Sequence, residues 1–359
     1  MTIRALVAAE PGAPAVIDVV ASAVGPNDVR VRVRAAGICH SDLSMVNGTL
    51  APQFPLVLGH EAAGTVVQVG DSVSRVSVGD CVVLNWSPAC RQCWYCLQGE
   101  PWLCERAPGA STPRGSTVDG AATHVTLGVG ALAEEVVIDA GAVIPVPADV
   151  PPEQAALLGC AVLTGFGAVR NAARVRAGES VLVLGLGGVG LSVLLAARHA
   201  GADPVIAVDI SPAKEVLARS AGATEFVVVD DTLTKAVRTL TGGRGADHAF
   251  ECVGKAATIG AAWRSTRRGG QVTVLGMGRR DDLLQLAALD IFHWARTLRA
   301  CRYGSADPDI EVPQLAEDVR RGQLDLAPLI THRISLDDAP EALHRMERGE
   351  GARSVVTFD

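Results

Sequence analysis

The chain has no excess of basic residues: 32 Lys and Arg stand against 39 Asp and Glu, a formal net charge of −7. A surface that neutralises phosphates needs the opposite balance, so the composition argues against a nucleic-acid partner. Charged residues are also sparse, at 20% of the chain, which argues against long disordered segments. Residues 1–16 hold Glu10 and two prolines and no apolar run of leader length. The longest uncharged stretch, 180–197, approaches a membrane span in length. Four glycines within 185–190 suit a turn better than a lipid-facing helix, so no membrane segment is expected. Without a leader, the nine cysteines read as reduced thiols or metal ligands, and the expected compartment is the cytosol. There is no internal repeat and no low-complexity tract.

What is present points to a two-domain α/β protein. The 359 residues suffice for two domains at roughly 150 residues each. The 48% of hydrophobic residues allows a large core. Glycine is abundant, 38 residues, with no collagen-like period, so it belongs in turns and close backbone approaches. Up to about residue 150 the texture is short strands between turns. Val29-Arg30-Val31-Arg32-Val33-Arg34 alternates as a half-buried strand does, and 64–70 and 80–84 are further strands. This half reads as an antiparallel, partly barrelled β domain. From about Glu153 strands and helices alternate, the pattern of βαβ units on a parallel sheet. Strands are expected at 180–184, 204–209, 226–229, 248–252 and 271–275, with helices at 191–200 and 212–221.

Gly185-Leu186-Gly187-Gly188-Val189-Gly190 fits G-x-G-x-x-G. Alone the pattern is weak, but here it follows a buried strand and opens a helix. Asp209 then ends the next strand 19 residues after Gly190. Glycines let the backbone approach a pyrophosphate, the helix N-terminus favours its charge, and the acid accepts from an adenosine ribose. A carboxylate there repels a 2′-phosphate, which favours NAD over NADP.

Cys90, Cys93, Cys96 and Cys104 are four thiols within fifteen residues, a spacing that wraps one tetrahedral zinc with a closed, structural shell. Cys39, His60 and Cys160 are a second set. Two thiolates and one imidazole leave a fourth position open, as catalytic zinc requires. Each taken alone is more often a buried structural residue, and a separation of over a hundred residues does not establish that they converge.

Taken together, these segments resemble the zinc-dependent medium-chain alcohol dehydrogenases over nearly the full length. The resemblance is carried by Gly37-Ile38-Cys39-His40-Ser41-Asp42, Gly59-His60-Glu61, the four-cysteine loop, Gly159-Cys160, Thr164-Gly165, the glycine turn, Val208-Asp209-Ile210, Glu251-Cys252-Val253-Gly254 and Arg353-Ser354-Val355-Val356. It implies a Rossmann doubly wound parallel sheet, residues 162–302, and a split GroES-like β-rich catalytic domain, residues 1–161 and 303–359. By resemblance, Cys39, His60 and Cys160 hold a catalytic zinc, with Asp42 orienting His60 and Glu61 behind the metal. The four-cysteine loop holds a structural zinc. Asp209 and Lys214 match ribose contacts, His40 and Arg353 pyrophosphate contacts, and Thr164 and Val189 residues flanking the nicotinamide. Homodimers or homotetramers are implied, joined near 298–303.

The implied reaction is oxidation of an alcohol at the open zinc position, with hydride passing to NAD. Ser41 matches the hydroxyl that takes the alcohol proton. Many relatives carry a histidine three residues further on; Ser44 stands there, leaving water, His40 or another base as the exit. Trp86 and Leu50 match pocket positions and point to an apolar or aromatic primary alcohol. The alternative substrate is formaldehyde conjugated to mycothiol or glutathione. Asn85-Trp86 and Leu127-Gly128-Val129-Gly130 look like the mycothiol-linked branch, whereas Leu50 and Pro108 replace charged residues that would bind glutathione. A reading of a different class, a zinc-binding regulator or structural protein without catalysis, would require a broken donor set.

Overall fold

The computed structural model describes residues 1–358. By internal contacts the chain forms two units, Met1–Leu163 with Asp307–Asp359, and Thr164–Ala306. Strands β1–β10 cover Thr2–Ala8, Pro14–Val20, Asp28–Gly37, Leu56–Val57, Glu61–Val69, Cys81–Leu84, Ser111–Thr117, Ala122–Thr126, Glu135–Asp139 and Val143–Pro145. Strands β11–β16 cover Val181–Leu184, Val205–Asp209, Glu225–Val228, Ala246–Glu251, Thr266–Val274 and Thr297–Ala300. Strands β17 and β18 are Ile330–Ile334 and Arg353–Thr357.

In the first unit, β1-β2-β7-β8-β4 close a small barrel. A second sheet runs β10-β6-β5-β3-β18-β17, with β9 paired to β3. The alternation along β3 is realised as read: Val29, Val31 and Val33 are buried while Arg32 and Arg34 are exposed. These valines pack with Leu6, Ile38, Leu58 and Leu84 in one core. The expectation of an antiparallel domain needs one correction. β4 pairs β8 in parallel. The two strands are far apart in sequence, so no hairpin signal could announce their direction.

The second unit is a six-stranded parallel sheet in the order β13-β12-β11-β14-β15-β16. That order reverses between β11 and β14, the place where doubly wound sheets open a crevice at the strands' carboxyl ends. β11 is buried along its whole length, as a strand covered on both faces must be. Two helix expectations shift. The helix read at 191–200 is Gly188–His199, because the turn glycines themselves form its first turn. The helix read at 212–221 is a short 3₁₀ turn, Pro212–Lys214, followed by Glu215–Ser220. The uncharged stretch 180–197 is β11, the glycine turn and most of that first helix. Among the described residues one helical run, Pro152–Ala173, is long and apolar enough to cross a membrane, but 89% of its apolar window is buried within the protein.

Candidate active site

The first cluster is built where three backbone segments end. β3 runs on through Ile38 to Cys39, which caps the short helix α1, His40–Val46, in extended conformation. Asp42 lies in the first turn of α1 and is fully buried. Its carboxylate accepts the Cys39 N–H at 3.0 Å and the Gly59 N–H at 3.0 Å, so it fixes two donor segments at once. Its Oδ1 also faces His60 Nδ1 at 3.2 Å. A carboxylate can only accept there, so the ring proton sits on Nδ1 and Nε2 is left as a lone-pair donor. Nε2 lies 3.5 Å from Cys160 Sγ. Cys160 comes from the buried helical turn Leu158–Val162. The donor atoms of Cys39, His60 and Cys160 all lie within 4.8 Å of one another, and all three residues are buried.

The buried donors of this trio perturb one another strongly. The hydrogen bond from Cys160, with Arg353 and His60 adding to it against the cost of burial, holds the Cys39 thiol well below its ordinary range. The same bond, together with burial, pushes Cys160 well above it. Burial would lower His60, but Asp42 and Cys39 outweigh it and raise the imidazole above its ordinary value. The distances suit a metal as well. A tetrahedral zinc, with Zn–S about 2.3 Å and Zn–N about 2.0–2.1 Å, spans an S–N edge of about 3.6 Å, close to the 3.5 Å found. Behind the trio, Glu61 is fully buried and neither carboxylate oxygen accepts a hydrogen bond. Burial pushes it up to about 7, against the pull of Arg353. Arg353 Nη2 lies 3.2 Å from Glu61 Oε2 and 3.6 Å from Cys39 Sγ, and Nη1 donates to the Ile38 carbonyl at 2.8 Å.

The second cluster is the cysteine loop. Cys90, Cys93, Cys96 and Cys104 bring four sulfurs within 4.8 Å of one another. Cys93 and Cys96 sulfurs are 3.5 Å apart, near the S–S edge of about 3.8 Å for tetrahedral zinc. The Cys90 N–H points at Cys104 Sγ and the Cys93 N–H at Cys90 Sγ, each at 3.3 Å. Amides aimed at sulfur favour thiolates, and the Gln92 amide leads in lowering Cys90 to about 6. The loop is also anchored. Arg91 makes a two-pronged ion pair with Asp307, at 2.6 and 2.7 Å, and a further bond to Asp309 at 2.6 Å.

In the nucleotide-type unit each turn glycine has a distinct reason. Gly185 has φ of +90°, and a Cβ there would meet Val253 Cγ2 at 2.5 Å. A Cβ on Gly190 would lie 1.9 Å from the Gly185 carbonyl oxygen. Gly187, by contrast, caps the helix with φ of −78° and has nothing within 4 Å of a Cβ. It presents bare backbone to open space beside a helix N-terminus, a cradle for a phosphate group. Asp209 ends β12 and accepts the Leu186 N–H of the turn at 2.9 Å and the Ser211 N–H at 3.0 Å. Lys214 is buried close by, its ammonium lowered by burial while Asp209 pulls it up. Val189 is half-buried in the helix's first turn, and Thr164 is buried at the start of this unit.

A family model described as Alcohol dehydrogenase GroES-like domain matches residues 25–148, and one described as Zinc-binding dehydrogenase matches residues 188–320. A protein named S-(hydroxymethyl)glutathione dehydrogenase, from Escherichia coli O1:K1, is 34% identical over 373 aligned residues, covering all of both chains. The chain belongs to the zinc-dependent alcohol dehydrogenases. Among solved structures, an alcohol dehydrogenase zinc-binding domain protein from Burkholderia ambifaria superposes with a TM-score of 0.93 at 30% identity, covering 100% of this chain and 99% of that one. Benzyl alcohol dehydrogenase from Acinetobacter calcoaceticus superposes with a TM-score of 0.92 at 28% identity over the whole of both chains.

In this alcohol dehydrogenase, then, the structure brings together the two metal-type clusters that were read from sequence. Ser41 is half-buried, its Oγ 3.9 Å from Cys39 Sγ, and His40 is exposed. The indole of Trp86 stands edge-on to His60 with ring centroids 6.4 Å apart. Leu50 is half-buried against the first unit's core. Three roles escaped the sequence. Arg353 serves as the buried cation of the trio and Arg91 as an anchor of the cysteine loop. The third is Glu251, whose buried carboxylate accepts from Val253 and Gly254 amides and the Thr258 hydroxyl, shaping the loop after β14. Only the Glu251-Cys252-Val253-Gly254 run hinted at the last, and it carried no assigned chemistry.

Proposed function

We propose that the enzyme oxidises a primary alcohol with an apolar or aromatic side group to its aldehyde, and catalyses the reverse, with NAD as hydride carrier. The observation that carries this reading is the count of donors. Cys39, His60 and Cys160 supply three buried ligand atoms where the cysteine loop supplies four. Three leave a coordination position for a substrate oxygen, and four do not. Zinc held by the trio would supply a Lewis acid that lowers the alcohol's pKa, and a bound nicotinamide would supply the hydride acceptor.

The chain's own residues supply the rest. Ser41 accepts the alcohol proton and hands it on toward the nicotinamide ribose. With Ser44 buried, the proton leaves by water or by the exposed His40. Asp42 holds His60 in the tautomer that presents Nε2. Arg353 and Glu61 set the charge behind the donors. Asp209 and Lys214 receive the adenosine ribose, and the Asp209 carboxylate disfavours a 2′-phosphate. His40 and Arg353 are assigned to the pyrophosphate together with the Gly187 backbone, and Thr164 and Val189 to the nicotinamide faces. Trp86 and Leu50 give the substrate side an apolar wall. We place the enzyme in the cytosol as a homodimer or homotetramer. Edge strand β16 supports the assembly, with all four of its residues exposed, Leu298 among them.

A second reading is favoured by the name of the 34% identical relative: oxidation of a hydroxymethyl group carried on a thiol such as glutathione or mycothiol. Both readings place an alcohol carbon at the same metal. NADH formation is measured with benzyl alcohol and a series of primary alcohols, and with formaldehyde in the presence and absence of each thiol. Turnover of the free alcohols supports the first reading. Strict thiol dependence overturns it in favour of the second.

A further inference from the structure

We propose that Gly159 is a positioning residue: by admitting the Leu84 carbonyl against its bare α-carbon, it sets where Cys160 presents its sulfur to Cys39 and His60. The proposal rests on the reading of Cys160 as a metal ligand. A Cβ on Gly159 would lie 2.5 Å from the Leu84 carbonyl oxygen and 3.1 Å from Val83 Cγ1. Leu84 ends β6, is fully buried and pairs with Val143 of β10, while β5 pairs the three residues before it. The strand is therefore the fixed wall and the helical turn Leu158–Val162 is the part that must yield. Real Cβ contacts stay above 3.0 Å, so the turn would have to retreat by at least about 0.5 Å. Metal-ligand distances tolerate only about 0.2 Å. A cysteine has a single rotor between backbone and sulfur, so little of that retreat can be absorbed by the side chain.

The same device recurs at the other distant donor. Gly59, immediately before His60, has φ of +95°, and a Cβ there would meet the Leu132 amide nitrogen at 2.3 Å. Both donors that arrive from outside the Cys39 segment thus follow a glycine packed against rigid backbone. Gly159 is the cleaner test because its own conformation is not left-handed, so an alanine there perturbs contact alone.

The experiment compares wild type, Gly159→Ala and Cys160→Ser as purified zinc-loaded enzyme. Zinc per chain is counted and the weaker site is titrated against a chelator. Stabilisation by that zinc is read from urea unfolding with and without it. The proposal expects Gly159→Ala to fold and to keep the four-sulfur zinc, and to bind the other zinc about 10- to 100-fold more weakly, the range seen when a residue supporting a ligand is lost. Zinc should then stabilise the variant less than wild type. If Cys160→Ser also keeps both zincs, the ligand reading itself fails. If Cys160→Ser loses one zinc while Gly159→Ala binds both as wild type does, the positioning proposal alone is overturned. A variant that cannot fold, that loses the four-sulfur zinc, or that is stabilised by zinc as much as wild type shows a role in the fold only and overturns it too.

Discussion

Gly187 and Gly190 sit three residues apart in one turn, yet adding a methyl group to each should have opposite consequences. At Gly190 the new Cβ would lie 1.9 Å from the Gly185 carbonyl. Reaching even 3.0 Å requires the turn and helix to separate by about 1.1 Å. Gly185 also bonds its N–H to the Val208 carbonyl at 2.9 Å, so the turn cannot yield alone. Such overpacking typically costs about 1–3 kcal/mol, and the displacement here favours the upper end. At Gly187 the Cβ meets nothing within 4 Å and the backbone, at φ of −78°, accepts an L-residue. Alanine there reduces the unfolded chain's freedom and should stabilise by about 0.4–1 kcal/mol. It also places a methyl group where a pyrophosphate must touch bare backbone. NADH affinity should fall at least tenfold, about 1.4 kcal/mol. Urea unfolding and NADH fluorescence titration of the two variants separate the effects. A Gly187→Ala enzyme that binds NADH like wild type, or a Gly190→Ala enzyme as stable as wild type, would refute the assignment of the two glycines.

Further outcomes follow from other residues. Replacing Asp209 by Gly tests the proposed exclusion of a 2′-phosphate by its carboxylate: the kcat/KM ratio of NAD to NADP, measured with one alcohol, should drop at least tenfold. Ser41→Ala should lower turnover and alter its pH profile while leaving zinc content at wild-type level; an unchanged profile would remove Ser41 from proton transfer. Asp247 is held at about 2 despite the opposing effect of burial, because Ser180 donates twice, at 2.6 and 2.8 Å, and Arg267 pairs with it. A depressed carboxyl stabilises the fold above its unfolded value and stops doing so as pH falls toward 2. After allowance for solvent screening this amounts to about 1–2 kcal/mol. The stability gap between wild type and Asp247→Asn, read by urea unfolding, should therefore be full at pH 7, about half as large at pH 3 and nearly closed only as pH reaches about 2.

Local chemistry was legible in the sequence and long-range geometry was not. The alternation of Val29, Val31 and Val33 announced β3 because period two is a property of a strand alone. The cysteine spacing announced a four-sulfur cluster because all the donors lie on one loop. The glycine turn was readable because strand, turn, helix and acid are consecutive. Convergence of Cys39, His60 and Cys160 was only a hypothesis, since nothing local ties residues separated by a hundred positions. The Arg353–Glu61 pair was missed for the same reason: the resemblance gave each a role of its own, a pyrophosphate contact and an acid behind the metal, and nothing local joins them until β18 is seen beside β3. The parallel pairing of β4 with β8, and the tie between Arg91 and Asp307, likewise depend on partners that no neighbouring residue predicts.

Three donors, and only three, are proposed to hold a second metal apart from the four-sulfur one. Zinc per chain, counted on purified wild type, Cys90→Ser and Cys160→Ser together with their unfolding midpoints, tests it most directly. Two zincs are expected in wild type, a folded and inactive Cys160→Ser with one, and a destabilised Cys90→Ser that has lost the loop metal. A Cys160→Ser enzyme that keeps both zincs and its turnover would contradict it.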